Sequence, residues 1–157
     1  MRPLLIRLCV FCLGCSITLS GFAAEERLTL LVYGDSLSAS YGIEEEQGWV
    51  NLLRRRIESE ELPVDVVNGS VSGETTTGGL ARLPAMLANY APQLLILELG
   101  GNDGLRGLPV RIMRENLALM IDLAKDSGAE VILTGIQIPP NYGPRYTAPF
   151  FATYAAL

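Results

Sequence analysis

Four short stretches gather the polar residues of this chain that could do covalent chemistry: "GDSLS" at 34–38, "NGSVSGET" at 68–75, "GGND" at 100–103 and "QIPPNYG" at 137–143. The first raises two readings, because Ser36 in "LLVYGDSLSASYG" closes an apolar run. Asp and Ser there can bond to their own backbone in a turn, or the serine can be displayed at the carboxyl end of a strand, where open α/β sheets place their chemistry. Taken together the stretches supply what acyl transfer needs. Ser36 is a hydroxyl nucleophile, Gly73 offers an unobstructed backbone N–H, and Asn102 offers a side-chain amide that can donate to a developing oxyanion. Asp35 and Asp103 flank the same region, but a carboxylate in water is a poor base for a hydroxyl, so both are expected to order loops or scaffold the oxyanion site. Glycines 34, 69, 73, 100 and 101 taken singly are equally explained by tight turns.

Composition narrows the chemistry. The chain has no "GxSxG" elbow, no "GxxxxGK[ST]" phosphate loop and no "GxGxxG" fingerprint, which argues against an ordinary α/β-hydrolase, a P-loop protein and a dinucleotide-binding fold. It contains no histidine, and Cys9, Cys12 and Cys15 all lie in the first 24 residues. Those residues carry Arg2 and Arg7, an apolar stretch from about Leu8 to Leu19, and small residues before Glu25 and Glu26. This is the pattern of a secretory signal peptide cleaved near Ala23 or Ala24, and it predicts a periplasmic or secreted product. A membrane anchor and a lipoprotein attached through Cys15 fit less well, the apolar stretch being short for a span. The remaining chain then lacks cysteine, which excludes disulfides and thiol catalysis, and neither a metal site nor a cofactor is expected. Removing the two arginines takes the net charge from −5 to −7, which disfavours nucleic acid as a partner. "RRR" at 54–56, followed by Glu58, Glu60 and Glu61, reads as the solvated face of a helix.

Strands and helices must alternate to bring the four stretches together. Continuous apolar runs predict buried strands at 28–33, 64–67, 94–99 and 130–136. Helical spacing predicts helices from Trp49 to about Glu60, from about Leu80 to Tyr90 and from Pro109 to Ser127, with Pro near the start of the last and Gly128 just beyond it. "NGSVSGETTTGG" and "GGNDGLRG" read as loops, and the closing "FFATYAAL" as the beginning of a helix. The alternation predicts a three-layer α/β/α sandwich on a parallel sheet covered on both faces, built by right-handed crossovers. In such a sheet the loops after the strands emerge on one side, so the four polar stretches form one rim. Residues 25–157 read as one domain.

With these motifs in order, "YGDSLSASYG", "NGSVSGETTTGG", "LELGGNDGLRG" and then "TGIQIPPNYGPRYTAPF", the chain resembles the SGNH, or GDSL-type, hydrolase superfamily. It is most similar to the branch of secreted bacterial arylesterases and thioesterase I/lysophospholipase L1. The resemblance runs from about residue 28 to the last residue. It implies a flavodoxin-like SGNH fold, Ser36 as nucleophile, and an oxyanion hole made by the backbone N–H groups of Ser36 and Gly73 and the amide of Asn102. Asp35 is expected to steady the nucleophile loop. The implied reaction runs through an acyl-enzyme on short to medium acyl esters, aryl esters, thioesters or lysophospholipids, with no metal or cofactor.

The departure from the pattern concerns the base. In the family a "DxxH" block near the carboxyl terminus supplies the catalytic Asp and His, and this chain has no histidine. The expectation is an incomplete SGNH domain lacking a C-terminal strand and helix, nearly or wholly inactive as it stands, with an exposed edge at the "EVILTGI" strand. Leu37, Leu105, Leu108, Pro139, Pro140 and Tyr142 sit in or beside the rim loops and could line an acyl groove, although residues of these types more often serve packing than contact. Two alternatives share the same residues: an esterase removing carbohydrate O-acetyl groups, and a non-catalytic acyl- or glycan-binding relative. No protein partner can be inferred.

Overall fold

A computed structural model describes residues 27–157; the expected signal peptide, with its three cysteines, lies outside the described residues. Four parallel strands form one sheet in the order β2-β1-β3-β4: β1 (Leu28–Gly34), β2 (Val64–Asn68), β3 (Leu94–Glu98) and β4 (Glu130–Leu133). In register, Leu31 lies beside Val67 and Leu95, and Leu97 beside Leu133. Five α-helices accompany them among the described residues: α1 (Trp49–Ser59), α2 (Thr76–Tyr90), α3 (Gly101–Leu105), α4 (Val110–Asp126) and α5 (Pro144–Ala155).

Alternation along the strands sends side chains to two faces. Leu31, Tyr33, Leu95 and Leu97 point to one, where they form the main core with Leu83 and Leu87 of α2, Met113, Leu117 and Met120 of α4, and Phe150 of α5. The opposite parity, Leu30 and Val32, is buried, as are Val50 and Ile57 of α1, whereas Ile132 on β4 stays 49% exposed. The expected three layers are present, but the second face is covered only in part. β4 is an edge strand among the described residues.

The element bounds correct the sequence reading in four places. α2 begins one turn earlier than the apolar spacing indicates, because Thr75 accepts from the Gly78 amide as its cap and the buried Thr76 is fixed by Asp103. The stretch after β3 is a short helix rather than a loop; its glycines weaken the local signal, and the buried Asp103 side chain supplies the tertiary contact that holds it. β4 ends at Leu133, with the Thr134 amide continuing the ladder to the Leu97 carbonyl, and residues 134–139 are irregular. Finally, "FFATYAAL" is the end of a helix and not its start: α5 begins at Pro144, one of the positions proline favours. Pro109 in turn precedes α4 as its cap residue, and α4 stops where Gly128 adopts φ +94°.

Candidate active site

The carboxyl ends of β1 and β3 and the loop leading into α2 meet at the rim. Directly after β1 the chain turns back on itself, the Ala39 and Tyr41 amides donating to the Asp35 and Ser36 carbonyls. Asp35 organises this turn from within: its Oδ1 accepts the Leu37 amide at 3.0 Å, the turn chemistry its sequence position suggests. Its Oδ2 accepts from Asn102 Nδ2 at 3.0 Å, so one carboxylate ties the β1 turn to the head of α3. Burial raises the Asp35 carboxyl above its ordinary range, against the lowering effect of the Leu37 amide and the Asn102 side chain, while the nearby Asp103 charge raises it further.

Asn102 is brought to the rim by a sharp departure from β3. Gly100 has φ +113°, and a Cβ there would lie 2.3 Å from the Tyr154 hydroxyl, so only glycine permits this approach of α5. The Asn102 amide makes two donations, to Asp35 and, at 2.9 Å, to the Glu74 carbonyl. Both hydrogens are therefore directed before any ligand arrives, and donation to an oxyanion requires sharing one of them.

Gly73 sits in the loop before α2 with φ +77°, a conformation costly for any side chain. Its carbonyl accepts from Arg106 at 2.9 Å. Asp103, 1% exposed, fixes the start of α2 by accepting from the Thr76 amide at 2.8 Å and its hydroxyl at 2.6 Å. Glu74 pairs with Arg82 at 2.8 Å, and that guanidinium lies 4.7 Å over the Tyr33 ring. The loop carrying Gly73 is thus anchored on both sides.

Ser36, Gly73 and Asn102 line one open cavity together with Tyr41 and Ser72. Among the described residues neither the Ser36 nor the Gly73 backbone N–H has a protein acceptor. A second cavity of about 230 Å³ adjoins it, lined by Asp35, Ser36, Leu37, Gly101, Asn102, Leu105, Ile136, Gln137 and Ile138. Leu37 and Leu105 of the expected groove line this space. Leu108, Pro139, Pro140 and Tyr142 do not; the Leu108 carbonyl accepts from Tyr146, and Tyr142 donates to the Leu105 carbonyl. Ile136 was read as the last residue of the fourth strand and Gln137 and Ile138 as the start of the rim stretch "QIPPNYG"; all three line the cavity beyond the end of β4. Ser38, two residues from Ser36, is fully buried, so the two serines of "GDSLS" have different surroundings. No group of three or more metal-ligating side chains occurs among the described residues.

A parallel α/β sandwich with a serine turn after its first strand, a glycine loop before its second long helix and an asparagine heading a short helix after its third strand defines the SGNH class of serine ester hydrolases. The chain belongs to the GDSL-like Lipase/Acylhydrolase family, which it matches over residues 32–157. It is 50% identical over 157 residues to Esterase TesA of Pseudomonas aeruginosa, covering all of this chain and 75% of that protein. It is 43% identical over 136 residues to Thioesterase 1/protease 1/lysophospholipase L1 of Escherichia coli K12, covering 87% of this chain and 64% of that protein. A crystal structure of TesA superposes with a TM-score of 0.79 at 55% identity, covering 82% of this chain and 71% of that one. The chain is shorter than these relatives.

Proposed function

We propose that Ser36 is the nucleophile of an acyl transfer and that the Ser36 N–H, the Gly73 N–H and the Asn102 amide hold the oxyanion. The observation that carries this reading is the shared cavity of these three residues, with two backbone N–H groups there that have no protein acceptor. In the reaction the Ser36 hydroxyl adds to the ester carbonyl, its proton passing to a base. The carbonyl oxygen takes the negative charge beside the three donors; the tetrahedral intermediate collapses to an acyl-serine with loss of the alcohol or thiol, and water releases the acid. Asp35 acts on this chemistry indirectly, by aiming Asn102 and ordering the turn that carries Ser36.

The apolar lining beside Ser36, from Leu37, Leu105, Ile136 and Ile138, supports acyl esters and thioesters as substrates, in keeping with the names of the relatives. Such a slot separates neighbouring chain lengths weakly, one methylene being worth about 1–3 kcal/mol. The base is what these 157 residues lack, since they include no histidine. Asp35 does not replace it, its two oxygens being engaged by Leu37 and Asn102. The polypeptide as it stands is therefore a weak catalyst, retaining oxyanion stabilisation without an imidazole. The leader-like residues 1–24 support export to the periplasm or beyond.

The test is hydrolysis of p-nitrophenyl acetate and butyrate by the purified chain, with and without added imidazole. The expected result is near-background turnover alone and an imidazole-dependent increase, above that of imidazole in buffer, that S36A abolishes. Equal rates for S36A and the parent chain would remove Ser36 from the mechanism.

A further inference from the structure

The network that reaches Ser36 from below is not used by the mechanism above. Glu98 ends β3 inside the protein, 7% exposed, in an otherwise apolar strand. Its Oε2 accepts the Ser38 hydroxyl at 2.7 Å and the Asp35 amide at 3.4 Å, the residues on either side of Ser36–Leu37. Ser38 Oγ in turn accepts from Trp49 Nε1 at 3.2 Å, and the Ser38 carbonyl accepts from Asn68 at 2.8 Å. Glu98 Oε1 is buried without a partner among the described residues. Glu98 also lines a cleft of about 510 Å³ with Leu37, Trp49, Thr134, Gly135, Ile136 and Gln137, three of which border the cavity beside Ser36.

We infer that Glu98 is a positioning residue for Ser36: by holding the Asp35 amide and the Ser38 hydroxyl on one carboxyl oxygen, it fixes both ends of the turn that displays the nucleophile, and the unpartnered Oε1 is where its proton resides. This rests on the reading of Ser36 as nucleophile. A carboxyl group protonated on Oε1 leaves Oε2 free to accept both donors, and its O–H, without an acceptor among the described residues, is a smaller penalty than a buried charge. Ionisation puts a charge in a largely apolar setting and leaves Oε1 as a buried anion without a donor, which the turn relieves by opening toward the cleft. Among the groups around it the Asp35 charge opposes that ionisation, while the Asp35 amide favours it. Asp35 stands at the other end of the 3.4 Å contact; Tyr154 of α5 is itself pushed up by burial and by the charges of Asp103, Glu98 and Asp35; and the residues of α1 and of the loop after β4 that share the cleft, Trp49 and Thr134–Gln137, are uncharged. Consistently, burial before all else lifts the Glu98 carboxyl to about 7, against the opposing effect of the Ser38 bond.

Trp49 is the only tryptophan, so its emission reports directly on the Ser38–Glu98 pair. Emission is recorded from acid to mildly alkaline pH for the parent chain, E98Q, E98A and S36A, and amide exchange is followed in peptides spanning residues 34–39. The expected result is an emission transition centred near 7 in the parent and in S36A, and none in E98Q or E98A. Exchange in the turn is faster in E98A and restored in E98Q, whose side-chain carbonyl still accepts from Ser38 and Asp35. Labelling of Ser36 by a phosphonate ester slows roughly tenfold or more in E98A and recovers in E98Q. A transition that persists in E98Q, or an E98A turn exchanging like the parent, overturns the inference. Labelling that survives S36A overturns the nucleophile assignment instead, and the emission of S36A separates the two failures. Should E98A not fold, the E98Q titration alone decides.

Discussion

Replacing Glu98 by Gln should flatten the pH dependence of stability, and the size of the effect follows from the burial of the carboxyl. In the unfolded chain Glu98 titrates at its ordinary 4.5, whereas in the fold it titrates at about 7. Below 4.5 it is protonated in both states and costs nothing. Between the two values the unfolded chain releases its proton and the fold keeps its own, so stability falls as pH rises, and above 7 the full penalty is in place. A difference of that size, at about 1.4 kcal/mol per pH unit, amounts to at most about 3 kcal/mol. Asp35, also raised, adds a loss of the same sign but does so in parent and variant alike. E98Q carries a separate, pH-independent cost, since its amide nitrogen occupies the place of the unpartnered Oε1, worth about 1–3 kcal/mol. The comparison is therefore between slopes. Urea unfolding of both proteins at a series of pH values from about 4.5 to 8 should show the parent losing up to about 3 kcal/mol more than E98Q. Parallel curves would refute the assignment of a raised, buried carboxyl to Glu98.

Three further outcomes follow from other contacts. D103A leaves the Thr76 amide and hydroxyl without their buried acceptor and should cost about 2–3 kcal/mol in urea unfolding, more than any exposed Asp→Ala change. F150A removes a fully buried ring that α5 contributes to the main core; a loss of about 3–5 kcal/mol is expected, and a change within 1 kcal/mol would mean α5 is not packed as described. N102A leaves Asp35 Oδ2 and the Glu74 carbonyl without their donor and should cost about 1–3 kcal/mol in urea unfolding, and where the variant is folded it should slow phosphonate labelling of Ser36 by roughly a hundredfold, since one oxyanion donor is lost.

Much of the architecture was legible because a buried parallel strand is an unusually plain signal. "LTLLVY" and "LLILEL" are apolar on both parities and end in glycine-bearing polar clusters, which located both the strands and the rim that follows them. The same glycines hid α3 and the first turn of α2. Gly78, Gly79, Gly101 and Gly104 have poor helix propensity, and it is the Asp103–Thr76 contact, 27 residues apart in the chain, that makes helices of both segments. The end of β4 was misplaced for a related reason: "EVILTGI" is mostly apolar, and only the path of the chain shows that its last residues line a cavity. Ser36, Gly73 and Asn102 were found from their types and places in the loops, and the structure brings them to one cavity. Glu98 was read simply as part of a strand. A lone carboxylate in an otherwise apolar run was the signal available, because such a group stays buried only with partners or a shifted proton affinity.

The central claim, that Ser36 is a nucleophile facing preformed oxyanion donors, is tested most directly by covalent capture. The purified chain is treated with a p-nitrophenyl alkylphosphonate in the presence of imidazole as external base, digested and mapped by mass spectrometry. One phosphonyl adduct per chain is expected, located on Ser36, absent from S36A, and never on the buried Ser38. An adduct distributed over other hydroxyls, or unchanged in S36A, would contradict it.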